Sequence, residues 1–429
     1  MMIRQLNILF LLNGITICTV AQNQFNTKEI VDKLVAIGFE NVRVAYKGDK
    51  VVASIENNVY RWDVDAIRMA IDIIIENCQG TSQLLLILLR NDIPVFQIKV
   101  STEYWLNGNN NTFFNTKNTS DFLVQYETDD DWKVLKSTSA YNSNEKKIDV
   151  VVYPQLSVQN RLLTQLYEIQ LNIAPAIEVS LWKGMLFTGQ IIFPLKNDFE
   201  VLHIKENVNY KERGFLYSTN EGDFIRPGFV TISQNIKFPK RWVGNITIGN
   251  FNEHRYGLNF YVKHFLNDCI NLTWNVGFTG SSHFYEGRWI SDRIDNCTWQ
   301  AKLEYYYAKY NISFDVGYGN YINNDNGFRV DCSRHFNETT IGFFAMHTGE
   351  KFNGGFHFTI PLQKNKRNRN RSLRLKIPEY YDSEYNAGYA VYYGLNYETK
   401  PDENRTEYYD NVLFIKEKLQ KRNLKITKN

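Results

Sequence analysis

The sequence predicts a mainly β protein, a transmembrane antiparallel β-barrel of roughly 12–16 strands with a small N-terminal periplasmic α/β domain. Two observations support this: a secretory signal at the N-terminus, and short segments that alternate apolar and polar residues. In residues 270–279, Ile270, Trp274 and Phe278 fall on one face, while Asn271 and Thr273 fall on the other. A period of two with one apolar face is typical of a strand between lipid and a wet lumen.

Residues 1–21 have the organisation of a secretory signal peptide. Arg4 precedes an apolar stretch that ends in small residues, which predicts cleavage before Gln22. The alternative is a membrane anchor, but polar Asn13 interrupts the stretch, which is shorter than the ~20 residues that span a bilayer. Export of the chain and the absence of a second long apolar stretch favour the outer membrane of a Gram-negative bacterium, with the N-terminal domain in the periplasm.

Composition excludes some classes of function. Charged residues make up 22% of the chain and the net charge is +3, so no general electrostatic attraction favours nucleic acid. Aromatic residues make up 15%, and barrels concentrate such residues at the membrane interfaces. The mean hydropathy of −0.40 is compatible with a barrel, because half of each barrel strand is polar.

Residues 22–101 are predicted to form the periplasmic α/β domain, with the order helix, hairpin, helix, hairpin. Apolar residues at helical spacing define the two helices, and alternating or apolar runs flank two polar turns. The predicted segments are a helix near 30–37, strands at 42–46 and 51–55, a helix from 63, and strands at 84–89 and 95–100. No motif for catalysis lies in this domain, so we expect it to dock periplasmic export or assembly proteins.

The rest of the chain divides into three segments. Residues 102–145 are polar and are predicted to be a linker or loop region with one candidate strand at 122–126. Residues 146–400 are predicted to form the barrel, and residues 401–429 a charged C-terminal tail with one short helix. Barrel connectors alternate between tight (267–268, 337–338) and longer (281–296), as they do in outer-membrane barrels. A secreted β-sandwich or β-solenoid is the alternative.

Polar positions of the predicted strands carry charges of both signs and several tyrosines. These alternating positions predict side chains that line the lumen. The candidates are Glu178, Tyr261, Lys263, Lys302, Glu304, Tyr306, Asp315, Arg329 and Asp331. Tyrosine rings beside polar groups suit a glycan, whose apolar C–H faces stack on the rings, better than a small ion. A lattice of salt bridges that stiffens the wall is the alternative.

A basic run lies between two predicted strands. Its arginines, Arg367, Arg369, Arg371 and Arg374, are predicted to lie in a loop. Such a loop would meet an anionic polysaccharide or lipid head groups; the alternative is a solvated loop without a ligand.

The chain has no recognisable catalytic motif, such as a nucleophile elbow, a zinc-protease helix or a phosphate-binding loop. Its cysteines are scattered, which predicts neither a metal site nor a cofactor. His357 and His335 are the candidates for the alternative, an outer-membrane enzyme acting on lipid or polysaccharide. Such an enzyme would need a Ser or Asp within hydrogen-bond reach of a histidine near the barrel rim.

Two segments resemble the YjbH family of exopolysaccharide and capsule biosynthesis proteins. Residues 348–362 (TGEKFNGGFHFTIPL) are similar to its Gly-rich strand ending in Ile-Pro, and an arginine-bearing segment and Gly388 follow. Residues 249–257 are similar to its glycine-punctuated turn, and the whole resemblance covers about residues 150–400. The family's Arg-Asp-Gly-Gly run is absent, since residues 383–388 are Ser-Glu-Tyr-Asn-Ala-Gly. The resemblance implies an outer-membrane barrel in polysaccharide export or assembly, and supplies no catalytic residues.

From these observations we expect a non-catalytic outer-membrane barrel for exopolysaccharide or capsule export or assembly. Its partners would be outer-membrane lipid, polysaccharide and periplasmic proteins. The alternatives are the enzyme described above and a structural or secretion-machinery barrel whose lumen is plugged.

Overall fold

A computed structural model describes two compact units. Unit 1 comprises residues 1–144 and 416–429, and unit 2 comprises residues 145–415. The described residues are 27–78, 80–108, 121–161, 165–198, 224–251, 255–285, 288–321, 324–362, 366–367, 369, 372–386 and 410–422. The predicted signal peptide therefore lies outside them. Within these ranges, none of the helices is long and apolar enough to cross a membrane.

Unit 1 contains a five-stranded sheet with the strand order β1-β2-β3-β4-β5, in which β2 and β3 are parallel and the other neighbours antiparallel. Its first elements follow the predicted order of helix, hairpin, helix, hairpin. They are α1 (27–37), β1 (Glu40–Lys47), β2 (Lys50–Glu56), α2 (Asp63–Asn77), β3 (Gln83–Arg90) and β4 (Ile93–Ser101).

Local sequence explains these elements. The two hairpin turns use residues that tolerate left-handed backbone, with φ of 66° at Gly48, 49° at Asn91 and 61° at Asp92. Along α2, apolar residues recur every three or four positions, and Ile67 and Ile71 are buried on the face that this spacing creates. Unit 1 thus has the ordinary arrangement of a soluble protein, with apolar side chains inside.

The segment predicted as a linker, 102–145, contains regular structure. It forms α3 (Thr102–Gly108), β5 (Phe122–Gln125) at the sheet edge, and α4 (Asp129–Lys136). The acidic run that suggested a loop is the first turn of α4, where the helix dipole stabilises negative charge. Leu135 of α4 is fully buried in a cluster with residues of β2 and β3. Three acidic residues outweighed the few apolar ones in the sequence pattern, so the helix was missed.

Unit 2 is a 15-stranded sheet among its described residues, within the predicted range of strands. The strands are β6 (Ile148–Arg161), β7 (Gln165–Trp182), β8 (Met185–Asn197), β9 (Arg226–Phe238), β10 (Trp242–Asn250), β11 (Arg255–Phe265), β12 (Ile270–Tyr285), β13 (Arg288–Ser291), β14 (Asn296–Tyr307), β15 (Ile312–Asn320), β16 (Asn326–Phe336), β17 (Thr339–Thr348), β18 (Lys351–Pro361), β19 (Leu373–Lys376) and β20 (Tyr380–Asn386).

Neighbouring strands of unit 2 are consecutive and antiparallel along most of the sheet, which runs from β19 and β6 to β18 and β20. The exceptions are β13, which pairs only with β12, and β19, which pairs with β6 in parallel. The segment 281–296, predicted as a long connector, therefore contains an extension of β12 and its partner β13.

The two edges of this sheet come together. Only residues 377–379 separate β19 at one edge from β20 at the other, so the edges are at most about 15 Å apart at that point. Tyr381 of β20 donates a hydrogen bond to the Leu156 carbonyl of β6 at 3.4 Å. The sheet is therefore strongly curved, although among the described residues β6 and β20 do not pair and the sheet is not closed by strand hydrogen bonds.

Turns at the two ends of the unit 2 strands differ in length. One end carries five short connections, at residues 183–184, 239–241, 266–269, 308–311 and 337–338, and also the 11-residue interval 362–372 between β18 and β19. The opposite end includes the 28-residue interval between β8 and β9 that starts at Asp198. The chain also enters unit 2 at the short-turn end, where the Lys146 amide donates to the Ser180 carbonyl at 2.7 Å.

Candidate functional site

Unit 2 has an inverted distribution of polarity. Burial alternates strictly along β16 and β17, with apolar residues such as Phe328 and Val330 exposed and polar residues such as Arg329 and Asp331 buried. Phe343 of β17 is 65% exposed, while Arg329 is 7% exposed. We call the buried polar side of the sheet the inner face and the exposed apolar side the outer face.

The nine predicted lumen residues all lie on the inner face, but six of them form one group, Glu178 lies in a second group, and the two tyrosines belong to neither. Six of them line two adjacent rows across β11 to β16. In the first row, Glu304, Asp315 and Asp331 are direct neighbours on β14, β15 and β16. Three carboxylates side by side repel one another, so they require nearby cations.

The second row, two residues along the strands, supplies those cations: Lys263, Lys302 and Arg329. The Lys263 ammonium lies 2.6 Å from the Glu304 carboxylate, which also accepts a hydrogen bond from Thr273 at 2.8 Å. We call the two rows together the charge lattice. Its contacts correspond to the salt-bridge lattice that the sequence analysis kept as the alternative.

Arg329 has a further partner that the sequence did not indicate. Its guanidinium lies 3.0 Å from Asp331 and 2.7 Å from Glu384 of β20. The guanidinium also lies 4.2 Å from the ring centre of Phe344. Glu384 was missed because β20 lacks the clear alternation of the other strands. Its lattice role depends on the curvature that brings β20 toward β16.

Two histidines contact serines on the inner face. His357 Nε2 is 3.1 Å from Ser333 Oγ, and His335 Nε2 is 2.9 Å from Ser313 Oγ. The Asp331 carboxylate lies 3.8 Å from His357 through the same Nε2 atom. In a hydrolytic triad the carboxylate instead holds the other ring nitrogen, so these three groups do not have the triad arrangement.

A glycine explains why His357 fits against the wall. A Cβ at Gly342 would collide with His357 Nε2 and Ser333 Oγ. The imidazole therefore occupies the space that a larger residue on β17 would fill. This arrangement is packing of a polar interior, in which the histidine is 7% exposed.

The two tyrosines predicted for glycan stacking do not form one platform. Tyr306 is 5% exposed, and its hydroxyl donates to Asn311 Oδ1 at 2.5 Å. Tyr261 lies between Asn245 and Asn275 in the sheet register. No pair of rings therefore holds a sugar between them at these positions.

Residues 410–415 contact the inner face near the short-turn end. The Phe414 ring meets Tyr306 and His335 edge-on, with centroid distances of 6.5 and 6.1 Å. Asn411 Oδ1 accepts hydrogen bonds from the amides of Leu413 and Phe414, which fixes the start of α5 (Val412–Arg422). The predicted short helix of the C-terminal tail is thus present, and its first turn covers this end of the inner face.

The second group lies where the sheet edges meet. Asp149 of β6 accepts from Arg374, lies 2.7 Å from Arg369 and is 3.6 Å from Lys376. Lys376 also approaches Glu178, the ninth predicted lumen residue, at 3.6 Å. These ion pairs join β19 to β6 and β7, because Arg374 and Lys376 lie on β19, Asp149 on β6 and Glu178 on β7.

The arginines predicted as a basic loop therefore have acidic neighbours. The prediction that Arg374 lies in a loop is wrong, because this residue lies in strand β19. Arg367 lies 2.7 Å from Glu379, and Arg371 lies outside the described residues. Asp149 and Glu379 could not be identified from sequence, because their partners are distant along the chain or have no regular spacing.

The described part of the chain holds no group of three His, Cys, Asp or Glu residues arranged to bind a metal ion. Cys78, Cys269, Cys297 and Cys332 are free thiols in the structure.

Comparison with known proteins identifies one family. The family model YjbH, described as "Exopolysaccharide biosynthesis protein YbjH", matches residues 16–257. This range covers unit 1 and the first strands of unit 2, and only the 249–257 turn of the resembling segments lies within it. The chain matches none of the curated protein sequences.

Two solved structures are similar over about half of the chain. "OmpT (in-vitro folded), an outer membrane protein of Vibrio cholerae" is 10% identical with a TM-score of 0.26, over 49% of this chain and 80% of that chain. Its loop L8 deletion mutant is 9% identical with a TM-score of 0.25, over 50% of this chain and 84% of that chain.

Proposed function

The chain belongs to the YjbH family of exopolysaccharide biosynthesis proteins, and from this premise we propose that it is an outer-membrane β-barrel serving exopolysaccharide or capsule export or assembly. In this proposal the protein catalyses no reaction itself. Unit 2 spans the membrane as a closed barrel, and unit 1 contacts export or assembly proteins in the periplasm.

The inverted polarity of unit 2 is the observation that carries the membrane proposal. Soluble monomers rarely expose contiguous apolar patches larger than a few hundred Å². The outer face instead exposes large apolar side chains on strand after strand, including Ile177, Ile191, Ile248, Trp274, Val316, Val330 and Phe343. Lipid would cover this face, and closure of the barrel by pairing of β6 with β20 would satisfy the hydrogen-bonding groups at the sheet edges.

Turn length supports one orientation. Outer-membrane barrels place short turns in the periplasm and longer loops outside. Since the chain enters unit 2 at the short-turn end, unit 1 would lie in the periplasm. The five-stranded sheet of unit 1 then becomes the part of the protein available to periplasmic partners.

The filled inner face favours a plugged barrel as the second candidate. A wide aqueous lumen would leave the charge lattice accessible to water, yet Lys263 is 9% exposed and Arg329 is 7% exposed. Residues 410–415 further cover Tyr306 and His335 near the short-turn end. Passage of a polysaccharide would therefore require movement of these side chains, whereas an assembly role would not.

Fractionation and electrophoresis of the full chain test the proposal. A folded barrel extracted from outer membranes should migrate faster before heating than after, and a deletion strain should lose surface polysaccharide. Complementation with Ser333→Ala should restore polysaccharide, since no catalytic serine is proposed. A soluble protein without a mobility shift would overturn the membrane role. Normal polysaccharide in the deletion strain would overturn the biosynthetic role.

A further inference from the structure

Three short turns of unit 2 each carry an exposed lysine. Lys183 lies between β7 and β8, Lys240 between β9 and β10, and Lys309 between β14 and β15. We call these three residues the basic rim. All three turns lie at the same end of the strands, so the positive charges are distributed along one border of the sheet.

Each lysine of the basic rim follows or precedes an exposed aromatic residue. Trp182 is adjacent to Lys183, Phe238 lies two residues before Lys240, and Tyr310 is adjacent to Lys309. The Lys309 ammonium is 5.2 Å from the centre of the Tyr310 ring. Aromatic residues favour the level of lipid head groups, and lysine extends its charge from an apolar surface toward water and phosphate.

The opposite end of the sheet has the opposite charge. Among the described residues between its strands, the only cation is Arg293. The acidic residues there are Asp198, Asp292, Asp295, Asp325 and Glu350. Net charge alone does not produce this arrangement, because the whole chain is close to neutral at +3. The turns at the lysine-bearing end also carry Arg241, Asp268 and Glu338, and Arg241 lies 3.5 Å from Asp268. Cations still outnumber acidic residues in those turns, which makes this border of the outer face the better surface for anions.

We propose that the basic rim binds the anionic head groups of phospholipids in the leaflet at the short-turn end. The inference rests on the proposed function, because it requires unit 2 to lie in a membrane. The three aromatic residues then sit at the head-group level, and the three ammonium groups meet lipid phosphates. A lipid surface is favoured over a soluble anion because the lysines border the exposed apolar face and are dispersed over three turns.

Reconstitution in vesicles of two compositions tests the basic rim. One set contains phosphatidylcholine alone, and the other contains phosphatidylcholine and phosphatidylglycerol in roughly a 7:3 ratio. We expect the temperature at which the full chain loses its fast-migrating band to be roughly 5 °C higher in the anionic vesicles at low salt. This shift should shrink in roughly 0.5 M salt, because the Debye length is then only ~4 Å and the attraction between lysine and lipid phosphate is screened.

A triple variant and a matched control complete the experiment. Lys183→Gln, Lys240→Gln and Lys309→Gln together should abolish the shift, while Arg288→Gln with Arg293→Gln at the opposite end should retain it. Both control arginines are exposed. An equal shift in the triple variant, or no shift in the wild-type chain, would overturn the inference alone. A wild-type chain that forms no fast-migrating band in either vesicle would overturn the proposed function.

Discussion

Units 1 and 2 use opposite arrangements of the same residue types. In unit 1 apolar side chains such as Phe96 and Ile71 are fully buried, as expected when water surrounds a domain. In unit 2 apolar side chains such as Phe343 are exposed, and charged residues such as Arg329 are buried. The difference shows that apolar alternation identifies a strand but does not identify its buried side, which depends on the surrounding solvent.

The largest expected effect is a cavity in unit 1. Phe96→Ala removes a fully buried ring and should destabilise unit 1 by about 3–5 kcal/mol, because the packed core does not collapse into the space. Phe343→Ala on the outer face should cost less, since lipid fills the vacated volume. Hydrogen exchange of β3 and β4 amides in the full chain measures the first effect, and thermal loss of the fast-migrating band measures the second.

A charge on the outer face should have a slightly smaller effect. Val330→Arg places a cation in the middle of the apolar face and should cost about 2–4 kcal/mol if that face lies in hydrocarbon. Met69→Arg on the partly exposed side of α2 is the matched control and should change stability by less than about 0.5 kcal/mol. Equal stability of Val330→Arg and wild type in vesicles would contradict the lipid-facing assignment.

Unit 1 also contains one buried carboxylate whose hydrogen bonds define a third prediction. Glu56 accepts from the side chains of Asn41 and Asn144 at 2.6 and 2.9 Å, and from the amides of Asn91 and Asp92 at 3.0 and 2.9 Å. Each Glu56 oxygen accepts from at least two N–H donors. In Glu56→Gln an NH2 group replaces one of these oxygens, so its hydrogens face other donors and the hydrogen bonds are lost.

We expect Glu56→Gln to destabilise unit 1 by about 1–3 kcal/mol. Hydrogen exchange at the Asn91 and Asp92 amides in the full chain should increase accordingly. Glu103→Gln in α3 is the control, because Glu103 is exposed and its substitution should be neutral. Unchanged protection in Glu56→Gln would show that Glu56 does not hold this turn.

The smallest expected effect concerns a thiol. Burial raises the pKa of Cys78 in unit 1 to about 11, so about 0.1% of it is thiolate at pH 8. Alkylation of the native chain at Cys78 should therefore be slow at pH 8 and rise about tenfold per pH unit toward pH 11, as long as the fold persists. Mass spectrometry of the modified peptide gives the rate, and a rate at pH 8 equal to that of the urea-unfolded chain would contradict the burial.

Sequence alone located several strands of unit 2, because their alternation is strict, and gave a total of roughly 12–16 strands. Residues 270–279 and 328–333 show which side chains share a face. The lattice partners could not be derived this way. Glu384 meets Arg329 only through sheet curvature, and Asp149 meets Arg374 across 225 residues of sequence. Sequence periodicity carries no information on either contact.

In unit 1 the sequence failed to indicate some helices, whereas in unit 2 it failed to indicate contacts between side chains. The first two hairpins and both long helices follow from turn residues and apolar spacing, and the candidate strand at 122–126 corresponds to β5, but α3 and α4 were assigned to a linker. These two helices are short, and their polar residues dominate the local pattern. Only tertiary burial of residues such as Leu135 and Trp105 reveals that they belong to the unit.

Depth-dependent quenching tests the inverted polarity of unit 2 most directly. A fluorophore on Cys332, which lies on the outer face of β16, is compared with one on Glu350→Cys in the β17–β18 turn, with the other cysteines replaced. In vesicles with brominated acyl chains, the fluorophore at residue 332 should be strongly quenched and the one at residue 350 should not. Equal, weak quenching at both positions would contradict a lipid-facing outer face.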